Sequence, residues 1–305
     1  MRRTLVLGLA LGILAGSCAH HPAASRSISE HDAASPRDTS PRAANVSRST
    51  PLALPRAETF TIDSTILHET RRINVLLPTI YGAPVEGALP TLYMPDGGLD
   101  EDFLHIAGLV QVLTSNGAMR PVILVGIENT QRRRDLTGPT QNPEDRAIAP
   151  VVGGSAAFRG FLRDELMPAV RAKYRTTQEA GIVGESLAGL FVLETLFEDP
   201  DLFQNYIAVD PSLWWNDGGM TRAATAARAE GFPARTVMVI TSGEPSMAQL
   251  NTDFAAAMEK LCTGACRFFY LPMPSETHAT IYHPAALTAF RTLLAPTAKP
   301  AHTAP

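Results

Sequence analysis

The sequence of 305 residues contains little cysteine, little charge and no long apolar run. Its three cysteines are too few for a disulfide scaffold, and their spacing matches no zinc-ribbon pattern. Charged residues make up 18% of the chain, and no block of Lys or Arg suggests a nucleic-acid partner. The H-E-x-x-H pattern of zinc hydrolases does not occur. These absences argue against a metal-dependent hydrolase and against a nucleic-acid-binding protein.

The N-terminal 19 residues predict export. Two arginines at positions 2 and 3 precede an apolar run over residues 5–14, and small residues follow. This run is shorter than the ~20 residues that span a bilayer, so it indicates a secretory signal peptide. Residues 14–18 also resemble a bacterial lipobox, with Ala15 where Leu is usual. The protein is therefore expected in the periplasm or outside the cell, either cleaved after Ala19 or attached to a membrane through a lipid on Cys18.

Composition divides the rest of the chain into three parts. Residues 20–58 are rich in Ala, Ser and Pro without apolar periodicity, which predicts a disordered tether. Residues 59–295 alternate short apolar strands with amphipathic helices, and residues 296–305 form a predicted flexible tail. Such alternation favours an α/β fold in which a mostly parallel central sheet is flanked by helices on both faces.

The most informative segment is G-x-S-x-A at residues 184–188. A buried strand leads directly into a helix with Ser186 on the turn, as in the nucleophile elbow of α/β-hydrolases, where small neighbours relieve crowding. The matching base is His278, which follows the last predicted strand and precedes the last helix. His283 is a weaker alternative. Together these residues predict a nucleophilic serine activated by a histidine.

With these motifs, the chain resembles the putative-esterase branch of the α/β-hydrolases, which includes esterase D-like, siderophore-trilactone and feruloyl esterases. The resemblance rests on "GESLAGLFVLETLFEDPDLFQNYIAVDPSLWWN", "PTLYMPDGG", "VGIENTQRRRDLTGP" and "FRGFLRDELMPAVRAKYRT". It covers essentially the whole domain and implies a serine ester hydrolase with an oxyanion hole, a small-molecule ester substrate, and no metal or other cofactor. An acyltransferase on the same scaffold and a non-catalytic binding module remain alternatives.

The third member of the catalytic triad is harder to assign. We expect it in the loop after the strand at residues 237–241, where many relatives carry a carboxylate and this chain has Ser246. Glu244 is the only carboxylate in that loop and is the expected acid, with Asp253 in reserve. The alternative is a Ser–His dyad without an acid.

Further residues are expected around this centre. The oxyanion donors would be the backbone N–H groups of Leu187 and of Gly97 or Gly98, unless the two glycines serve only a turn. The resemblance places substrate contacts at Trp214, Trp215 and Arg134; the alternatives are packing for the tryptophans and a solvated loop or an Arg–Asp pair for the arginine. In an oxidising compartment, Cys262 and Cys266 are expected to form a disulfide across a turn rather than remain free thiols.

Overall fold

A computed structural model describes residues 57–296. The predicted signal peptide with Cys18, nearly all of the predicted tether and all but the first residue of the predicted tail lie outside this range. The strands are Ala57–Ser64 (β1), Glu69–Leu76 (β2), Thr79–Ile80 (β3), Ala83–Pro84 (β4), Leu89–Pro95 (β5), Ile123–Ile127 (β6), Thr176–Glu185 (β7), Asn205–Val209 (β8), Thr236–Ser242 (β9) and Arg267–Met273 (β10).

The helices lie between these strands and after the last one. They are Phe103–Ser115 (α1), Arg132–Asp135 (α2), Pro143–Ala147 (α3), Ser155–Phe161 (α4), Met167–Lys173 (α5), Leu187–Glu198 (α6), Trp215–Ala226 (α7), Ala248–Leu261 (α8) and Tyr282–Leu293 (α9), with a π-helical turn at Leu162–Leu166 between α4 and α5. Within residues 57–296, no helix is both long enough and apolar enough to cross a membrane.

Eight strands form one sheet in the order β1-β2-β6-β5-β7-β8-β9-β10. Strand β2 pairs antiparallel with both β1 and β6, and all other neighbours in the sheet are parallel. Because parallel strands end at the same edge, the loops after β5, β7, β8, β9 and β10 meet at one side of the sheet. Residues from distant parts of the sequence can therefore converge there.

Alternating side chains of the central strands build two apolar cores, one on each face of the sheet. Tyr93 and Ile182 lie in the core that contains α4, α5, α6 and α8. Their neighbours Leu92 and Val183 point to the opposite face and pack in the core that contains α1 and α9. This period of two is the normal pattern of a strand. The predicted mostly parallel sheet with helices on both faces is confirmed.

Candidate active site

Ser186 lies on a strained turn between β7 and α6. Its backbone has φ 60° and ψ −121°, a left-handed conformation that is uncommon for residues other than glycine. The turn also needs small neighbours, because a Cβ atom on Gly184 would lie 2.6 Å from the carbonyl carbon of Ala188. The G-x-S-x-A segment thus adopts the predicted elbow geometry, with the side chain of Ser186 held at the edge of the sheet.

His278 lies in the loop between β10 and α9, and its Nε2 atom is 3.0 Å from Oγ of Ser186. The alternative base, His283, contacts His105 instead, with 2.9 Å between Nδ1 of His283 and Nε2 of His105. Of the two histidines considered from the sequence, the structure therefore brings His278 to the serine.

The carboxylate that contacts His278 belongs to Asp210, which the sequence analysis did not select. Oδ2 of Asp210 is 2.6 Å from Nδ1 of His278. The same carboxylate accepts hydrogen bonds from the backbone N–H of Ser242 at 2.7 Å and from its hydroxyl at 2.8 Å. The loop after β9 therefore orients the acid, but the acid itself follows β8.

This geometry corrects the expectation for Glu244. Glu244 lines the cleft near His278, but Nδ1 of His278 is bonded to Asp210. The reserve candidate Asp253 is exposed on α8 and contacts Gln249. Asp210 could have been found from one signal: it is the first residue after β8, the strand that pairs with β7 beside the elbow.

The pKa values of this pair move in opposite directions. Burial tends to raise the pKa of Asp210, but hydrogen bonds from His278 and Ser242 outweigh it and lower the pKa overall. The hydrogen bond to Asp210 raises the pKa of His278 above its ordinary value, against the effect of burial. The site therefore favours an ionised Asp210, which accepts a hydrogen bond from the N–H at Nδ1. This bond leaves Nε2 of a neutral His278 free to act as a base.

The N–H groups of the two candidate oxyanion glycines are already used. The N–H of Gly97 donates to the carbonyl of Ile127 at 2.9 Å, and that of Gly98 donates to the carboxylate of Glu101 at 2.7 Å. A Cβ atom on Gly97 would overlap the backbone of Gly126 and Ile127. Gly97 therefore permits close packing of the loop against β6. The expectation that the N–H groups of Gly97 and Gly98 face the substrate is corrected, because both already donate within the protein.

Leu187 keeps its predicted position at the start of α6. Its N–H is among the first four of the helix, which have no acceptor within the helix. A second candidate donor is the N–H of Asp96, which makes no hydrogen bond to any acceptor in residues 57–296. Asp96 has φ 57°, and its carboxylate is clamped by the guanidinium of Arg132 at 2.7 and 2.8 Å.

The adjacent tryptophans occupy different environments. Trp214 is 39% exposed and lines the cleft beside Ser186. Trp215 is buried in the core, and its indole N–H donates to the carbonyl of Gly138 at 2.9 Å. Only Trp214 can contact a substrate in the cleft, which corrects the expectation for Trp215.

Arg134 is held by two carboxylates rather than facing the cleft. It donates to Glu69 at 2.7 Å and to Asp135 at 2.6 Å. Its neighbours Arg132 and Arg133 line the cleft instead. The arginine-rich segment is therefore placed near the site, but the residue expected to bind substrate has a structural position.

The cleft has a volume of about 520 Å³ and opens at the carboxyl edge of the sheet. It is lined by the serine, the histidine, the aspartate and a mixture of apolar, cationic and hydroxyl side chains: Arg132, Arg133, Ile148, Ser186, Leu187, Asp210, Pro211, Ser212, Trp214, Glu244, Ser246, Met247 and His278. Within residues 57–296, no group of three or more His, Cys, Asp or Glu side chains could hold a metal ion.

Cys262 and Cys266 form a disulfide at the end of α8. Helix α8 ends at Leu261 and β10 begins at Arg267, so the bridge closes the turn between them. The pairing expected from the sequence is present in this geometry.

Comparisons with known proteins identify the family of this chain. Residues 64–271 match the family model described as putative esterase. The chain belongs to this family. Two curated relatives are similar over part of their length. The ferri-bacillibactin esterase BesA of Bacillus subtilis is 30% identical over 49% of this chain and 56% of the relative. The siderophore triacetylfusarinine C esterase of Aspergillus fumigatus is 34% identical over 55% of this chain and 60% of the relative. The matches thus span little more than half of each relative.

Solved structures agree on the fold of this family member. An IroE-like serine hydrolase from Shewanella oneidensis superposes with a TM-score of 0.69 and 28% identity, covering 78% of this chain and 80% of that one. The BES protein from Bacillus cereus also has a TM-score of 0.69, with 19% identity and coverage of 81% and 98%. The α/β-hydrolase fold expected from the sequence is confirmed.

Proposed function

We propose that this protein is a serine esterase that cleaves carboxylic esters through an acyl-enzyme on Ser186. The observation that carries the proposal is the continuous hydrogen-bonded chain from Ser186 Oγ through His278 to Asp210, which opens into the cleft. Membership of the putative-esterase family and the esterase names of the relatives support the same reaction. An intact chain of this kind favours catalysis over a role in binding alone.

The first half of the reaction forms the acyl-enzyme. Oγ of Ser186 attacks the ester carbonyl carbon while its proton passes to Nε2 of His278. The tetrahedral intermediate collapses, the bond to the alcohol breaks, and the imidazolium returns the proton to the leaving alkoxide. Asp210 remains ionised throughout and stabilises the imidazolium through Nδ1. A water molecule then repeats the attack with His278 as the base and releases the acid.

The negative oxygen of the intermediate needs two hydrogen-bond donors. We assign the N–H of Leu187 and the N–H of Asp96 to this role. Strands β5 and β7 are parallel neighbours with Tyr93 opposite Ile182, so the continued register brings Asp96 beside Glu185, next to the nucleophile. The clamp from Arg132 holds Asp96 in its left-handed conformation.

The substrate class proposed is a soluble ester with a compact acyl part or an aryl-containing polyol ester, including a siderophore-like lactone. The names of the relatives support this class. Trp214 offers an aromatic face at the cleft, and the guanidinium of Arg133 lines the same cleft and favours anionic groups. Long-chain lipid esters are expected to be poor substrates.

Export is proposed from residues 1–19, whose composition is that of a signal peptide. Cell fractionation with the native N-terminus and with a Cys18→Ser variant tests this proposal and its lipid-anchored form. Membrane attachment that disappears in the variant supports lipidation; a wild-type protein retained in the cytoplasm contradicts export.

The decisive experiment combines an ester panel with active-site labelling. A fluorophosphonate probe should label Ser186, as identified by mass spectrometry, and the Ser186→Ala variant should lose both labelling and ester turnover. The loss of kcat should reach several orders of magnitude, since only binding and the oxyanion hole remain. Labelling that persists in Ser186→Ala, or a correctly folded wild-type enzyme inactive on the whole panel, contradicts the proposal. Product analysis with added alcohols separates hydrolysis from acyl transfer.

A further inference from the structure

A second carboxylate lies beside the catalytic base, on the side opposite Asp210. Oε1 of Glu185 is 3.4 Å from Nε2 of His278, the same nitrogen that lies 3.0 Å from Oγ of Ser186. Asp210 contacts Nδ1, at the other side of the ring. The imidazole is therefore flanked by two carboxylates, one at each nitrogen.

Glu185 has no evident structural task that would explain a carboxylate at this position. Its side chain is only 17% exposed, at the end of the buried strand β7. Among the hydrogen bonds of residues 57–296, none involves its carboxylate. Burying a charged group without hydrogen bonds is costly, so a nearby positive charge is the natural compensation. The imidazolium that forms during catalysis would supply that charge.

We propose that Glu185 is a positioning residue for the esterase reaction, whose ionised carboxylate stabilises the imidazolium form of His278 from the Nε2 side. The proposal deepens the proposed function and rests on it. Glu185 does not exchange a proton with the substrate in this scheme. Glu185 acts through His278, so removal of the Glu185 carboxylate should change the basicity of His278.

The surroundings of Glu185 make its charge responsive to pH. Burial raises the pKa of Glu185 to about 7, while the positive charges of His278 and Arg132 oppose this effect. The other titratable groups that face it are Asp96 after β5, Asp102 before α1 and Tyr282 at the start of α9. His278 is faced in addition by Asp210 and by Glu244. Because Glu185 and His278 interact, their protons leave in two steps that belong to the pair.

The direction of the effect follows from this charge. An ionised Glu185 favours protonated His278, so it raises the pKa of His278. In Glu185→Gln that contribution is lost, and the pKa of His278 should fall by about one unit, as expected for a unit charge ~4 Å away in a partly solvated site. The reaction requires neutral His278, so the acid limb of kcat/KM should move to lower pH. The plateau at high pH should fall up to about tenfold, because the transition state loses the same stabilisation.

The experiment compares the pH dependence of kcat/KM for the wild type, Glu185→Gln and Glu185→Asp. The wild-type acid limb should show two steps, and Glu185→Gln should show one step shifted downward by about one pH unit. Glu185→Asp keeps the charge at a greater distance and should lie between them. Asp253→Asn, which removes an exposed carboxylate on α8, is the matched control and should keep the wild-type profile.

An NMR titration of the His278 imidazole gives a readout that does not depend on turnover. A lower pKa in Glu185→Gln supports the proposal; an unchanged pKa and an unchanged acid limb overturn it. Equal losses of kcat/KM in Glu185→Gln and Glu185→Asp, with no shift of the acid limb or of the His278 pKa, also overturn the proposal. Such losses indicate that Glu185 has a packing role. Thermal unfolding identifies a variant that fails to fold. If Glu185→Gln does not fold, the comparison of Glu185→Asp with the wild type decides, by the pKa of His278 and the acid limb of kcat/KM.

Failure of this inference is distinguishable from failure of the proposed function. If the wild type turns over no ester and Ser186 takes no probe, the proposed function fails, while the imidazole titration still reports whether Glu185 acts on His278. If the wild type is active and labelled but the titration is unaffected by Glu185→Gln, the inference fails alone.

Discussion

Oδ2 of Asp210 lies 2.6 Å from Nδ1 of His278, and the same carboxylate is held by two donors of Ser242. Asp210 comes from the loop after β8, His278 from the loop after β10 and Ser242 from the end of β9. Three neighbouring strands thus cooperate to orient one imidazole. Their bonds hold the ring in the tautomer that leaves Nε2 free for Ser186.

Replacement of Asp210 should be far more damaging than replacement of Glu244. Asp210→Asn should lower kcat by at least about 10²-fold and up to about 10⁴-fold, because the amide cannot stabilise the imidazolium or the required tautomer. Glu244→Gln should lower kcat less than about threefold. Steady-state kinetics on one good ester substrate checks both. A large loss in Glu244→Gln with an active Asp210→Asn would reverse the assignment.

The pKa of His278 should be measurably above the ordinary value of about 6.5. The hydrogen bond that His278 donates to Asp210 is the main cause, so the pKa of His278 should fall in Asp210→Asn. Since the base must be neutral, wild-type kcat/KM should decline as the pH falls through this raised value. NMR titration of the imidazole and a pH–rate profile should agree on it. A wild-type value below 6.5 would contradict the ion-pair geometry.

Replacing Trp214 should mainly affect substrate binding, whereas replacing Trp215 should mainly affect the stability of the fold. Trp214→Ala should raise KM several-fold for aryl esters and change the free energy of unfolding by less than about 1 kcal/mol, since the side chain is partly exposed. Trp215→Ala should lower that free energy by about 3–5 kcal/mol, because it leaves a cavity and an unpaired carbonyl at Gly138. Denaturant unfolding and ester kinetics test the pair. If both variants lowered the free energy of unfolding equally, the assignment of Trp214 to the cleft and Trp215 to the core would be contradicted.

The disulfide between Cys262 and Cys266 should be present in protein purified without reductant from an oxidising compartment. Thiol counting on unreduced, denatured protein should find neither residue free. The Cys262→Ser/Cys266→Ser double variant should lose less than the roughly 3 kcal/mol expected for a 15-residue loop, because the loop closed here is much smaller. Two free thiols in protein freshly purified without reductant from that compartment would refute the bridge.

A prediction from sequence succeeded where the information is local. The strand, the serine and the helix of the elbow are consecutive, and the crowding between Gly184 and Ala188 arises within five residues. The alternation of apolar strands and helices likewise determined the parallel sheet, since strands buried on both faces require apolar runs. His278 was selected because it follows the last strand of that sheet.

Only the tertiary structure decided which groups complete the site. Asp210 precedes His278 by 68 residues, and it reaches the ring because β8 lies between β7 and β9 in the sheet. The N–H groups of Gly97 and Gly98 donate to Ile127 and Glu101, so they are not available as oxyanion donors. Trp214 and Trp215 are adjacent in sequence but separate into cleft and core at the start of α7, where left-handed backbone at Asn216 interrupts the helix. Sequence spacing determines which residues can begin a strand or turn, whereas the lateral order of strands and the satisfaction of buried polar groups determine which of them meet.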